Sequence, residues 1–261
     1  MSVNSYLENL ASNLILSSTE KDNIKISINT LETRLNLYFG NDIEEKFTFG
    51  SYPRVTILPR SVDSNSDIDF MIVFDNSNNY KPQTFLDRLR RFAESKYSNS
   101  EIYQSSPTIV LELHHIKFEL VPAYKSLNTY YIPDGNGGWM STYPNDFNKQ
   151  LTEANNNNGY KIKPVVRLIK EWNVKNNYHK LTSYKIEEKI AYNMTYSYVT
   201  CKSYTDYLKK AFSLIRNISF DSSINNRIDK AIDKIDEALK LESDGLPYSA
   251  SQKIKEVFPE D

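Results

Sequence analysis

The chain has 261 residues, and its 32 basic and 33 acidic residues leave a formal net charge of -1, which argues against strong binding to duplex DNA through a broad basic surface. The single cysteine, Cys201, excludes an internal disulfide and a cysteine-rich zinc site. No apolar run reaches the length of a membrane span and no secretory signal is apparent, so we expect a cytoplasmic protein without a membrane partner.

Two helices are predicted before the first strand. The first is amphipathic and runs from Ser5 to Leu16, and the second is introduced by a capping box of Thr19 and Asp22. The apolar residues on one side of the second helix are Ile24, Ile28, Leu31 and Leu35. This spacing predicts that one face of the second helix packs on a core.

A short predicted strand, 47–49, runs into Gly50 and Ser51. A glycine at the end of a strand lets backbone amides approach a phosphate closely, and the serine hydroxyl adds a donor. A Gly-Ser pair alone is a weak signal, and it gains meaning only from the acidic residues that follow it. Gly50 and Ser51 are therefore candidate phosphate-binding residues.

The next predicted strand, 67–74, is apolar apart from its first and third residues. Because side chains alternate across a strand, Asp67 and Asp69 point to the same side. A pair of charges at the mouth of a buried strand is costly unless a cation lies between the carboxylates. Magnesium is the natural candidate, since it takes hard oxygen ligands from one or two carboxylates and from substrate phosphates.

A third carboxylate belongs to a predicted hairpin made of strands 108–113 and 116–121. In the second of these strands the apolar residues form one face, and Lys117 and Glu119 lie on the other. Glu119 is therefore expected to face the aspartate pair from a neighbouring strand. Three carboxylates on adjacent strands can hold two metal ions about 3.5–4 Å apart, as required for in-line phosphoryl displacement.

Loop and capping signals divide the rest of the chain. A polar turn over 75–82 precedes a helix opened by a capping box of Thr84 and Asp87. The glycine-rich segment 132–138 is the strongest loop signal. It predicts a boundary between residues 1–135, which carry the sheet, and residues 136–261, which form a helical lobe.

The second part of the chain is predicted to be helical after a polar loop over 155–159. The predicted helices cover 161–176, 183–194, 203–217 and 224–241. Ser183 lies at the start of one of them, where a serine on its own indicates an N-cap. Lys170 is one of several basic residues on the 161–176 helix, most of which are expected to be solvated.

Several segments together resemble the polymerase-β-type nucleotidyltransferase superfamily, and most of all the bacterial cGAS/DncV-like enzymes that make cyclic oligonucleotides in anti-phage defence. These segments are 49–56, 66–70, 118–123, 165–173 and 181–187. The resemblance implies an α+β fold with a mixed twisted sheet flanked by helices and a C-terminal helical lobe that closes the active-site cleft. The third carboxylate of this family is more often aspartate than glutamate, and Glu119 departs from that pattern.

The same resemblance implies a mechanism in which two Mg²⁺ ions, with Mn²⁺ as the second candidate, promote attack of a ribose hydroxyl on an NTP with loss of pyrophosphate. Repeated transfer and ring closure would give a cyclic di- or trinucleotide. The implied metal ligands and catalytic residues are Asp67, Asp69 and Glu119. The implied contacts to the triphosphate are Gly50, Ser51, Lys170 and Ser183.

The partners implied by the resemblance are NTP substrates, a downstream effector reached through the diffusible product, and a regulatory protein, peptide or RNA as activator. Two other functions remain open at this point. A linear nucleotidyltransferase that modifies tRNA or a protein hydroxyl, as in a toxin, would use the same carboxylates. A catalytically inactive nucleotide-binding module would keep them only as part of a polar cleft.

Overall fold

The computed structural model describes residues 1–192 and 198–259. Its internal contacts divide the chain into two compact units, each described by itself below. We call them the sheet unit and the helical unit. The sheet unit consists of Ser17–Arg60 and Ser64–Asp146, and the helical unit of Met1–Leu16, Ser61–Asp63 and Phe147–Asp261.

The helices and strands are numbered in chain order over the described residues. The helices are α1 (Val3–Asn13), α2 (Ser18–Phe39), α3 (Pro82–Lys96), α4 (Asp146–Asn157), α5 (Ile162–Lys175), α6 (Ser183–Tyr192), α7 (Tyr204–Ile215), α8 (Ser222–Ser243) and α9 (Pro247–Lys255). The strands are β1 (Ile43–Phe49), β2 (Asp67–Phe74), β3 (Glu101–Ser105), β4 (Thr108–Glu112), β5 (Lys117–Ser126), β6 (Thr129–Pro133) and β7 (Trp139–Thr142). No helix within the described ranges is long and apolar enough to cross a membrane.

A mixed sheet forms the centre of the sheet unit, with strand order β1-β2-β5-β4-β3 and with β6 and β7 extending from β5. The central pair, β2 and β5, is parallel, and its neighbours are antiparallel. One face of β2 packs against the helices: the ring of Phe74 lies 5.2 Å from that of Phe39 on α2 and 5.0 Å from that of Phe85 on α3. This arrangement confirms the predicted fold class of a mixed twisted sheet flanked by helices.

The hairpin that carries the third carboxylate forms as predicted. Strands β4 and β5 pair antiparallel, and a hydrogen bond of 2.9 Å from the Leu113 amide to the Ile116 carbonyl closes the turn. Phe118 and Leu120 are fully buried, whereas Lys117 and Glu119 are only half-buried. The polar side of β5 is therefore the side opposite to the helices.

Both predicted capping boxes are wrong. The capping box of α2 is formed by Ser17 and Glu20, because the glutamate side chain reaches back 2.9 Å to the Ser17 amide while Ser17 accepts from the Glu20 amide. Helix α3 begins at Pro82 with no side-chain cap. A proline suits a first turn because its missing N–H leaves no donor unpaired there.

The predicted boundary at residue 135 falls inside the turn between β6 and β7. The Asp134 amide donates to the Gly138 carbonyl at 2.9 Å, and Gly135 and Gly137 take positive φ angles of 81° and 92°. The same glycine-rich chemistry that indicates a linker thus closes a hairpin here. The functional roles assigned to the two parts of the chain remain a prediction.

Helix α5 is the most buried helix described in the helical unit. It packs against α1, α6 and α7, and the ring of Trp172 meets that of Phe212 edge-on at 5.0 Å. Because α1 packs on α5, it belongs with this unit and not with the sheet, where the sequence had placed it. The last turns of α4 occupy part of the predicted loop 155–159, and Met194, the predicted end of α6, lies outside the described residues.

Candidate active site

Three acidic residues of the sheet unit lie on one face of the parallel pair β2–β5. Asp67 is in register with Lys117, and Asp69 is in register with Glu119. Because paired residues of neighbouring strands project to the same side, these four side chains share the face opposite to the helices. We call them the acidic cluster, and it confirms the expectation that Glu119 faces the side of the aspartate pair.

Lys117 is the cation of the acidic cluster. Its Nζ lies 3.4 Å from Oδ2 of Asp67 and 3.9 Å from Oε1 of Glu119. The lysine side chain is 15% exposed, and those of Asp67 and Glu119 are each 28% exposed. The two carboxylates are therefore partly withdrawn from water, and the ammonium group of Lys117 lies near both of them.

The electrostatic effect of this partial burial and close approach of charges is greatest at Glu119. Burial, the negative charge of Asp67 and a hydrogen bond with it raise the pKa of Glu119 to about 7 from the ordinary value of 4.5, against the opposing effect of Lys117. Two carboxylates that cannot both ionise easily form a site that favours an added cation. A strongly raised pKa of this kind is typical of functional sites, although structural clusters also produce it.

Gly50 is required by its contact with Asp69. Strand β1 ends where Phe49 pairs with Asp69, and Gly50 follows with a φ of +74°. A Cβ at this position would lie 1.7 Å from Oδ2 of Asp69, so the Asp69 side chain would have to move. The carboxylate of Asp69 thus lies directly against the glycine backbone. This contact is a separate reason for a glycine here, and the phosphate contact of Gly50 remains a prediction.

Ser51 organises the turn that follows. Its carbonyl accepts hydrogen bonds from the amides of Thr56 and Ile57 at 3.0 and 3.2 Å. Its side chain is half-buried. The turn is therefore a folded structure that holds the backbone after Gly50 in place beside the acidic cluster.

The cluster suits a hard divalent cation by the chemistry of its donors, since carboxylate oxygens are the ligands that Mg²⁺ prefers. Within the described residues, however, no three His, Cys, Asp or Glu side chains are already grouped to hold an ion. The ammonium of Lys117 lies between Asp67 and Glu119. The convergence of three carboxylates on a metal ion therefore remains a prediction.

The other two predicted site residues, Lys170 and Ser183, belong to the helical unit. Lys170 is buried on α5, and its Nζ lies 3.3 Å from Oε1 of Glu187, which is fully buried on α6. Ser183 is exposed and is the first residue of α6. Their predicted contacts to a triphosphate are not tested by these positions.

Lys117 and Glu187 are not among the site residues predicted from the sequence. The alternation of β5 placed Lys117 on the correct face, but its partner Asp67 follows from the parallel pairing of β2 and β5. That pairing joins segments about 50 residues apart in the chain, and a single sequence carries no direct signal for it. The contact between Glu187 and Lys170 likewise depends on the packing of α6 against α5.

Comparisons with known proteins agree with this arrangement. Residues 1–155 match the Second Messenger Oligonucleotide or Dinucleotide Synthetase (SMODS) domain. The chain is 26% identical, over 299 aligned positions, to a probable cyclic nucleotide synthase of Bacillus cereus (strain VD146), covering 90% of this chain and 86% of the relative.

Two solved structures share the fold over nearly their whole length. Vibrio cholerae DncV cyclic AMP-GMP synthase, a prokaryotic cGAS homolog, superposes with a TM-score of 0.77 at 11% identity, covering 98% of this chain and 96% of that one. Escherichia coli MS115-1 CdnC, in its complex with HORMA-deltaN, gives a TM-score of 0.74 at 16% identity, with 97% and 96% covered. At these identities the likeness shows the fold alone.

The domain match covers more than half of the chain, and it confirms the predicted resemblance to cGAS/DncV-like nucleotidyltransferases. The chain therefore belongs to the Second Messenger Oligonucleotide or Dinucleotide Synthetase family, whose enzymes synthesise cyclic oligonucleotides.

Proposed function

We propose that this chain joins NTPs with release of pyrophosphate and closes the product into a cyclic di- or trinucleotide, in a reaction that depends on Mg²⁺. Enzymes of this family generally use divalent metal ions. Asp67, Asp69 and Glu119 would hold two such ions, with Mn²⁺ as the second candidate. When bound, the ions would neutralise the triphosphate and lower the pKa of the attacking ribose hydroxyl.

The observation that carries this proposal is the shared face of the acidic cluster. Burial, and then the negative charge of Asp67, raise the pKa of Glu119 to about 7, so the metal-free site carries an energetic cost that a divalent cation would relieve. Asp69 lies directly against the Gly50 backbone, and its carboxylate occupies space that a side chain at position 50 would fill. Such an arrangement of carboxylates favours phosphoryl transfer, where catalysis consists mainly of positioning and charge neutralisation.

The backbone beside the acidic cluster supports a phosphate-binding role for Gly50 and Ser51. The glycine allows a close approach to the chain, and the turn anchored on the Ser51 carbonyl is rigidly hydrogen-bonded. Backbone amides in such a turn can bind phosphate oxygens. For Lys170 and Ser183 the support is the family resemblance, and the buried pair of Lys170 with Glu187 equally suits a structural role.

The relatives suggest the biological setting. The family match supports an anti-phage signalling role in which the cyclic product diffuses to an effector. The complex of CdnC with HORMA-deltaN is the reason to include a regulatory protein among the proposed partners of this chain, beside a peptide or RNA activator.

The test is to incubate the purified chain with every combination of radiolabelled NTPs and either Mg²⁺ or Mn²⁺, and to resolve the products after phosphatase treatment. A species that resists phosphatase and has no free end is the expected result. Products that phosphatase fully degrades would indicate a linear nucleotidyltransferase. Absence of pyrophosphate release with all NTPs, with and without candidate activators, would indicate an inactive nucleotide-binding module.

A further inference from the structure

Lys117 is a charged residue of the acidic cluster to which the proposed reaction assigns no task. Its ammonium lies between two carboxylates, 3.4 Å from Asp67 and 3.9 Å from Glu119. Charge-assisted N–H···O hydrogen bonds are shorter, at about 2.7–2.9 Å. The ammonium therefore balances both carboxylates without being locked to either of them.

We propose that Lys117 is a resident counter-ion of the acidic cluster: it holds Asp67 and Glu119 together in the metal-free protein and releases them when a divalent cation binds. This inference rests on the proposed function, because it concerns the metal site of that reaction. Lys117 is thereby a positioning residue that acts through the two carboxylates.

The balance of charge supports this exchange. The carboxylates of Asp67 and Glu119 lie on one face of the sheet, with the ammonium group of Lys117 between them. A divalent cation compensates the carboxylates better than an ammonium group can. A lysine is also suited to leave, because its charge sits on a flexible stem and lacks the planar fork with which arginine grips a carboxylate.

A further carboxylate, that of Glu112, is available to Lys117 after it leaves Asp67 and Glu119. Glu112 on β4 is the direct cross-strand partner of Lys117, on the side away from Asp67. Directly opposed residues have Cβ atoms about 4.5–5.5 Å apart, so a lysine side chain can reach a glutamate there. Glu112 is held in place by Arg60 at 2.8 Å. Lys117 can thus turn from Asp67 and Glu119 toward Glu112 without becoming an unpaired charge.

A fixed structural ion pair would give a different response to mutation. If Lys117 only props up the two carboxylates, its removal disorders the ligands and weakens metal binding. If it competes with the metal for them, its removal strengthens metal binding. An arginine at this position, which would hold the carboxylates in a bidentate grip, should then weaken metal binding.

The experiment measures Mn²⁺ binding to the purified, nucleotide-free full chain by electron paramagnetic resonance. We expect Lys117→Met to bind Mn²⁺ about threefold to tenfold more tightly than wild type, and Lys117→Arg to bind it at least about threefold more weakly. The matched control is Lys46→Met, which removes the same charge from β1 on the opposite face of the sheet, where Lys46 pairs with Ile72. This control should leave the dissociation constant unchanged.

Thermal unfolding gives a second readout. Without metal, Lys117→Met should unfold at a lower temperature than wild type, because Asp67 and Glu119 then face each other alone, and saturating Mn²⁺ should reduce that difference. Unchanged or weaker Mn²⁺ binding by Lys117→Met would overturn the counter-ion proposal. If Lys117→Met does not fold, undiminished binding by Lys117→Arg would overturn it equally.

A further variant, Asp69→Asn, distinguishes a failure of the proposed function from a failure of the counter-ion proposal. Asp69→Asn should weaken Mn²⁺ binding strongly whatever the role of Lys117. If Asp69→Asn binds Mn²⁺ as wild type does, the acidic cluster is not the metal site, and both proposals fall. If Asp69→Asn loses binding while the Lys117 variants match wild type, only the counter-ion proposal is wrong.

Discussion

Replacement of Glu119 by glutamine should stabilise the metal-free protein while abolishing its activity. Glutamine keeps the shape of the side chain, removes its charge and can donate a hydrogen bond to Asp67. Burial and the negative charge of Asp67, which together raise the pKa of Glu119 to about 7, then act on a neutral group. A functional group that destabilises its own fold is a common compromise at active sites.

The size of the expected stability gain follows from the raised pKa of Glu119. The interval between 4.5 and about 7 corresponds to about 3 kcal/mol at about 1.36 kcal/mol per pH unit. Because 28% of the Glu119 side chain remains exposed, solvent screens part of this energy, and we expect a gain of about 1–2 kcal/mol in the free energy of unfolding.

The pH dependence has a definite sign. The folded state holds the Glu119 proton more tightly than the unfolded chain does, so this proton contributes stability below pH 4.5, and that stability is lost as the pH rises through about 7. The advantage of Glu119→Gln over wild type should therefore be smallest near pH 4.5 and complete above pH 8.

Urea denaturation in EDTA, monitored by circular dichroism at several pH values, measures this difference. Glu112→Gln is the control, because it neutralises a carboxylate on the neighbouring strand that is paired with Arg60 at 2.8 Å, and it should not stabilise the fold. If Glu119→Gln is no more stable than wild type at pH 8, or if its advantage does not change with pH, the assigned electrostatics of the cluster is wrong.

Three further substitutions test separate contacts. Gly50→Ala should reduce NTP turnover at least about tenfold and destabilise the fold by about 2 kcal/mol or more. The reason is that its Cβ would overlap Oδ2 of Asp69 and that the φ of +74° disfavours a side chain. Wild-type turnover by a folded Gly50→Ala would contradict this prediction. Ser17→Ala removes the cap of α2 and should lower the free energy of unfolding, measured by urea denaturation, by about 1 kcal/mol without affecting turnover. A loss of turnover would show that the start of this helix influences the site. Lys170→Met should cost about 3–5 kcal/mol by removing the cation that lies 3.3 Å from the fully buried carboxylate of Glu187, and Lys170→Met combined with Glu187→Met should cost much less. Recovery of both stability and turnover in the double variant would refute the predicted triphosphate contact.

The sequence predicts the central strands well because their pattern is local. The alternation of polar and apolar residues in β2 and β5 places Asp67, Asp69 and Glu119 on one side of each strand, as observed. The pairing partner of each strand is not local, and so the register that sets Lys117 beside Asp67 could be learned only from the structure. The charge balance of the site depends on that register.

Turn signals were the least informative part of the sequence. The glycine-rich segment 132–138 predicts a domain boundary, yet the β6–β7 hairpin uses it as its turn. Capping motifs were also misplaced, since Ser17 and Thr19 both suit an N-cap by residue type. Only the reach of Glu20 back to the Ser17 amide decides between them.

Pyrophosphate release by the double variant Asp67→Asn plus Asp69→Asn is the measurement that tests the central claim most directly. Both substitutions keep the shape of the side chains and remove the charges of two of the three proposed metal ligands. The proposed chemistry predicts a loss of at least about a thousandfold in NTP turnover with Mg²⁺, in a protein whose circular dichroism remains native, because charge neutralisation by bound metal supplies most of the rate. Turnover equal to wild type would show that nucleotidyl transfer takes place without these carboxylates.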